Sequence, residues 1–221
     1  MRYEVHIFED DHEVIANDNL NLNTTLRSYL ASDVSKFVNL IIEGDINGAA
    51  ALSGSILAAG FNMYVTRDLN AAKNYCINRY AGNDNKRFGL MASSKAYNLS
   101  SYRMKPQFQP DVAAWFNRAP SETGSCCQLL VTVSEFDCQG LEVDMPIVGW
   151  GTDMLWDGTG WSKFKDSEAA DSDANTYRIN SYRVLLTRGR DGFIAFIPEE
   201  ARFNSTYNAL VTAGIKNLVC V

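Results

Sequence analysis

Few side chains in this chain suit nucleophilic, redox or metal chemistry. Only two histidines occur, His6 and His12, both near the N-terminus. A Ser-His-Asp, Cys-His or multi-histidine metal mechanism therefore lacks its parts. The five cysteines, Cys76, Cys126, Cys127, Cys138 and Cys220, are an odd number without a C-x-x-C pair. They argue against a disulfide framework or a zinc site and fit a reducing cytoplasm. The adjacent pair Cys126-Cys127 has no assigned role and reads as packing. Neither a G-x-x-x-x-G-K-S/T loop nor a G-x-G-x-x-G turn is encoded, so the chain carries no phosphate-cradling loop of its own. Phe8-Glu9-Asp10-Asp11 has the form of a Mg²⁺-binding strand end. With no phosphate loop upstream, it reads as a plain strand exit.

Three segments stand out from this background. They are Leu22–Ser28, with Arg27; Thr132–Glu142, with Ser134, Gln139, Gly140 and Glu142; and Tyr182–Gly192, with Arg188, Gly189 and Arg190. The second precedes the apolar run Met145–Trp150 and the third precedes Phe193–Pro198. Taken alone, each has an ordinary reading. Arg27 suits a helix surface, Gln139-Gly140 suits a turn, and Thr-Arg-Gly-Arg suits a helix C-terminus, where cations favour the dipole and glycine the cap. Charge adds a fourth signal. The chain is acidic, net −6, yet residues 79–105 hold Arg79, Lys86, Arg87, Lys95, Arg103 and Lys105 against Asp84 alone. A basic island in an acidic chain has the form of an anion-binding strip; the alternative is a solvated loop face.

The elements that must position these residues alternate in type. Apolar runs at Tyr3–Phe8, Phe61–Val65, Arg87–Ala92, Gln128–Val133, Pro146–Trp150 and Gly192–Pro198 predict strands, most of them buried on both faces. Three- and four-residue apolar spacing predicts a helix over Thr24–Glu43. Further helices are expected over Ile46–Ala59, stopping at Gly60, from an Asp68 N-cap through Tyr80, over Asn175–Arg188 and over Asn204–Lys216. Strand–helix alternation predicts an α/β domain with a mainly parallel sheet. Trp156–Trp161 reads as a small hairpin with an Asp-Gly turn, and Lys165–Thr176 as a mobile loop.

The 221 residues, 46% apolar and 21% charged, match an ordinary globular chain. A chain of this length can bury about 70% of its unfolded surface without staples. No run of 18 apolar residues exists, so no membrane span is expected. The acids Glu4, Glu9, Asp10, Asp11 and Glu13 exclude a signal peptide at the start.

In order and spacing, the three segments resemble motifs IV, V and VI of superfamily 1 helicases. Almost the whole chain is similar to the C-terminal half of the Schlafen group 3-type DNA/RNA helicase domain. Arg67-Asp68-Leu69, Arg79-Tyr80-Ala81-Gly82, Phe88–Ala96, Ser125-Cys126-Cys127 and Asn180–Arg190 carry the closer likeness. The resemblance implies one RecA-like domain over 1–221, a three-layer α/β sandwich with a small β-hairpin insertion. Its regions are motif IV at 22–28, motif V at 132–150, hairpin and loop at 152–176, and motif VI at 180–198.

The same resemblance implies a motor in which ATP and Mg²⁺ are held mainly by an N-terminal P-loop domain, expected before Met1 or on a separate gene product. Arg188, with Arg27 second, would be the arginine finger, since a guanidinium grips phosphate oxygens in pairs and stays charged. Glu142 would meet the nucleotide ribose, and Gln139 and Gly140 would let backbone approach the nucleotide. Arg190 either supports the phosphate contact or holds the helix end. Ser134, Ser93, Ser94, Lys95, Arg103 and Lys105 would form a track for single-stranded DNA or RNA. Phe136, Tyr97, Tyr102 and Trp115 are candidate stacking faces, with core packing the commoner fate, most of all for Phe136. Arg-Gly-Arg departs from the commoner Arg-Ala-Arg, and Gln139 stands where unwinding helicases often have lysine. The alternative is a stand-alone binding module that hydrolyses nothing, or an ATPase-dead relative.

Overall fold

A computed structural model of the protein describes residues 29–162 and 172–218. The element order is α1 (Tyr29–Glu43), α2 (Ile46–Ala58), β1 (Asn62–Thr66), α3 (Leu69–Arg79), β2 (Phe88–Ala92), α4 (Val112–Asn117), β3 (Thr132–Val133), β4 (Met145–Gly149), α5 (Ser172–Leu186), β5 (Gly192–Phe196), α6 (Asn204–Thr212) and β6 (Lys216–Asn217). The strands form one sheet in the order β3-β2-β4-β5-β1-β6. Every pairing is parallel.

All residues of β2, β4 and β5 are buried. That is why their sequences are unbroken apolar runs rather than alternating ones: helices cover both faces of a parallel sheet. The helices α1, α2, α5 and α6 pack on one another, while α3 lies over β1, β4 and β5. The result is a three-layer α/β architecture of RecA-like type. In α1 the buried residues Val34, Phe37, Val38, Ile41 and Ile42 follow helical spacing. The Asp68 carboxylate caps α3 by accepting from the Asn70 N–H at 2.8 Å.

Four expectations change. The run Gln128–Val133 is mostly not strand: Cys126–Gln128 forms a 3₁₀ turn, Leu129 takes the left-handed conformation at φ 54°, and only Thr132–Val133 pairs. Leu129 and Val133 are buried while Leu130 is exposed, a turn pattern that apolar content alone does not separate from a strand. A short helix, α4, is added, capped by Asp111, whose carboxylate accepts from the Ala114 N–H. Helix α5 begins at Ser172, inside the expected loop Lys165–Thr176. Helix α6 ends at Thr212, leaving Lys216–Asn217 to extend the sheet as β6. The Trp156–Trp161 hairpin is present as a single antiparallel bridge. The Asp157 carboxylate accepts from Thr159 and Gly160 N–H in its turn, and the Trp161 indole donates to the Ile41 carbonyl on α1 at 2.7 Å. The expected strand Tyr3–Phe8, Arg27 and residues 165–171 of the expected loop lie outside the described residues.

Candidate functional site

Parallel strands give the sheet two distinct edges, and the candidate residues divide between them. At the N-terminal ends of β4 and β5, the loop carrying Gln139–Glu142 meets the turn carrying Arg188–Arg190. The Val143 N–H donates to the Arg188 carbonyl at 3.0 Å and the Arg190 N–H to the Val143 carbonyl at 2.9 Å. A parallel bridge thus joins Val143 to Gly189. Two residues 45 or more positions apart are thereby fixed by main chain, before either strand begins.

The side chains follow. Arg188 donates from Nε to the Val184 carbonyl at 3.1 Å and from Nη1 to the Leu141 carbonyl at 3.4 Å. The first contact places a cation at the C-terminal end of α5, where the helix dipole favours it. Arginine has five N–H donors, so these two bonds leave most of its fork unspent among the described residues. Arg190 Nε lies 3.7 Å from Glu142 Oε2, with both side chains well exposed. Gln139 and Gly140 are exposed beside them, Gly140 at φ +77°. Gly189 has a steric reason: a Cβ there would lie 1.8 Å from the Gly192 carbonyl oxygen. A glycine at this position is what the turn requires. The turn is too tight for a methyl group.

A half-buried clamp stiffens the same edge. Lys86 Nζ bonds Asp144 at 2.9 Å and Asp191 at 2.8 Å, the residues just before β4 and β5. The Tyr80 hydroxyl donates to Asp191 at 3.0 Å. Asp191, then Asp144, hold the Lys86 ammonium above its ordinary range. The Arg87 guanidinium is spent on the carbonyls of Phe116, Asp84 and Lys86.

The C-terminal edge is built differently. Glu135 and Asp153 are almost fully buried. Glu135 accepts from the Ser94 N–H at 2.7 Å, the Ser94 hydroxyl at 2.9 Å and the Ser181 hydroxyl at 2.8 Å. Asp153 accepts from the Ser93 hydroxyl at 2.6 Å and the Tyr182 hydroxyl at 2.9 Å. Arg178 serves both acids, 3.9 Å from Glu135 and 3.7 Å from Asp153, and donates to the Ser93 hydroxyl at 3.0 Å. Burial, then the Asp153 charge, pushes the Tyr182 phenol well above its ordinary range. Ser134 is buried and donates to Asp137 at 2.6 Å. The three candidate serines are therefore turned inward, into bonds that shape the loops.

The outward groups here are cationic and aromatic. Lys95, Arg103 and Lys105 are exposed. Lys95 Nζ and Lys105 Nζ lie 5.9 and 5.8 Å from the centroid of the Tyr97 ring, itself 52% exposed. Phe136, next to Glu135, and Tyr177, next to Arg178, are exposed to 64% each. Phe136, the aromatic for which core packing was most expected, is thus a surface ring. Trp115 is core instead, its indole donating to the Val131 carbonyl at 3.2 Å. Tyr102 packs edge-on against Phe196 at 5.2 Å. The basic island is not one strip: Lys86 and Arg87 serve the N-terminal edge, and Lys95, Arg103 and Lys105 the C-terminal one.

Tyr177, Arg178 and Asp153 carry no sequence signal, because nothing local marks partners 25 to 85 positions apart. Sequence reasoning also missed why Gly189 is glycine. No helix among the described residues is long and apolar enough to cross a membrane. A family model described as Schlafen group 3, DNA/RNA helicase domain, matches residues 3–199. No curated protein and no solved structure matches the chain.

Proposed function

The chain belongs to the Schlafen group 3 DNA/RNA helicase domain family, and on that premise we propose that it is the C-terminal motor domain of an ATP-dependent helicase or translocase. Its function is helicase-like at the level of the family. The finer reading assigns the N-terminal edge of the sheet to nucleotide and the C-terminal edge to a single strand.

The observation that carries this reading is the junction of the two loops at Val143 and Gly189. It brings two guanidinium groups and one carboxylate to a common rim. That donor set fits ATP: cations for phosphate oxygens, a carboxylate for a ribose hydroxyl. Bound ATP, with Mg²⁺, would supply the phosphoanhydride whose cleavage drives the motor. An N-terminal P-loop domain is the proposed partner that holds both. Arg188 is positioned to complete the phosphate contacts across the gap between domains, and Arg190 to pair with Glu142 or join it. Arg27 remains a proposed second finger. On the opposite edge, Lys95, Arg103 and Lys105 contact the strand's phosphates, while Tyr97, Phe136 and Tyr177 offer ring faces to bases. Ser93, Ser94 and Ser134 support that track by holding its loops.

The test is ATP turnover by the motor joined to its P-loop domain. Arg188→Ala should lower turnover on the order of 10³- to 10⁵-fold with an unchanged melting curve. The 221 residues alone should turn over negligible ATP. Unchanged turnover in the variant would remove the finger from Arg188.

A further inference from the structure

A cavity of about 460 Å³ lies where the α1–α2 turn, the Trp156–Trp161 hairpin and α6 meet. No residue assigned above to either edge of the sheet lines it. Its walls are fixed before any ligand arrives. The Gly44 N–H donates to the Ile41 carbonyl at 3.0 Å and the Asp45 N–H to the Leu40 carbonyl at 2.8 Å, which closes the turn between α1 and α2. The hairpin is tied to α6 by the Trp156 N–H, which donates to the Thr206 hydroxyl at 2.9 Å, and to α1 by the Trp161 indole. The half-buried Trp156 ring lies over Gly44, where a Cβ would stand 3.6 Å from it. A preformed concavity of this size is the usual form of a small-ligand site.

Its lining is polar and carries one sign of charge. Ser205, Asn208 and Thr212 stand at i, i+3 and i+7 on α6, along one face of the helix. Asn47 of α2 lines the same space. Among the described residues these four side chains make no hydrogen bond, whereas the hydroxyls of Ser53 and Ser55 on α2 donate to carbonyls of their own helix. Asp45 is the one charged residue on the wall. Its Oδ1 accepts from the Gly48 N–H at 2.8 Å, capping α2, and no cation among the described residues pairs with it. A carboxylate has about four acceptor sites, so the cap leaves most of them open. Glu43 and Asp157, next in sequence to lining residues, are exposed and add negative potential.

This set repels an anion, and an apolar ligand would strip the amides and hydroxyls of water without replacing it. It fits a cation with several N–H donors and a flat face. Tryptophan is the best ring for a cation. A guanidinium presents five N–H donors in one plane and stacks on aromatic rings, which a compact ammonium does not. We propose that the cavity is a guanidinium site that takes the side chain of arginine, with Asp45 as counter-charge, Trp156 as the ring wall, and the amides of Asn47 and Asn208 as acceptors. The arginine comes as the free amino acid or within a bound peptide; both sources share this head-group chemistry.

The test follows amide and indole NMR signals of the intact chain titrated with N-acetyl-arginine amide, free arginine and the neutral N-acetyl-citrulline amide. The first should shift the Trp156 indole and the Asn47 and Asn208 side-chain amides saturably, and the citrulline compound should bind about tenfold more weakly or worse. Free arginine binding as well as the blocked form assigns the site to the amino acid. Free arginine about tenfold weaker, its own carboxylate facing Asp45, assigns it to arginine within a peptide. Asp45→Asn keeps the cap, since asparagine caps as well as aspartate, and should weaken binding about tenfold. Asn208→Lys, an exposed change on α6, should abolish binding and leave the melting curve unchanged. Equal binding of the citrulline compound, unchanged affinity in either variant, or no saturable shift at the cavity would overturn the proposal.

Discussion

The two edges of the sheet solve opposite problems with the same residue types. At the N-terminal edge, Arg188 is held by two main-chain carbonyls with most of its donors unspent among the described residues, and Arg190 stands beside Glu142 at the surface. At the C-terminal edge, Arg178 is drawn inward between two buried acids, and four hydroxyls complete the network. An arginine satisfied by carboxylates inside a protein is a brace, because its charge is spent where it sits. An arginine leaning on neutral carbonyls retains its full charge for an anion. The difference separates Arg178 from Arg188, ten positions apart on one helix and the turn that ends it.

The contrast predicts a split between stability and activity. The largest effect belongs to Arg188→Ala: the loss of turnover given above, with unfolding free energy changed by no more than about 0.5 kcal/mol. Arg178→Ala should do the reverse. It strands Glu135 and Asp153 in the interior without a cation, a change that costs about 3–5 kcal/mol, read by denaturant melting of the chain. Gly189→Ala should fall between, costing about 1–3 kcal/mol as the turn yields to the added methyl. It should also displace Arg188 and lower turnover without touching a charge.

Smaller effects sharpen the reading of the basic rim. Lys95→Ala and Lys105→Ala should each weaken single-strand binding nearly equally across sequences. Each should reduce the slope of log affinity against log salt by roughly 0.7 to 1, measured by fluorescence anisotropy at several salt concentrations. Tyr97→Ala should weaken binding by about 1–3 kcal/mol with little change in that slope. Smallest is the alkaline limit of the clamp. Lys86 gains partners on folding, so its pKa is raised. Its stabilisation is complete below the ordinary lysine range and fades as pH rises through the folded value. Lys86→Met should erase that alkaline fall in melting temperature.

Much of this architecture is written in local pattern. The strands at 88–92, 145–149 and 192–196 are apolar without alternation because both faces are covered, and Asp68 announces α3 by its chemistry. Glu142 and Arg188 were identifiable as neighbours only through the order of their segments, since the Val143–Gly189 bridge joins residues 46 positions apart. The Glu135–Arg178–Asp153 network has no local signature at all. It depends on three loops and a helix arriving together. For a similar reason Trp115 met the expected core fate while Phe136 did not. A two-residue strand and a short capped helix bury the tryptophan against Gly89, where a Cβ would lie 2.4 Å from its ring, and the turn after Glu135 leaves Phe136 outside.

On the proposed function, nucleotide and nucleic acid meet opposite edges of one sheet. Hydrogen exchange of the motor joined to its P-loop domain tests it directly, with a non-hydrolysable ATP analogue and with a single-stranded oligonucleotide added separately. The analogue should protect residues 139–143 and 187–190, and the oligonucleotide should protect 94–97 and 103–105. Protection of 187–190 by the oligonucleotide alone, with the analogue leaving that turn unchanged, would contradict it.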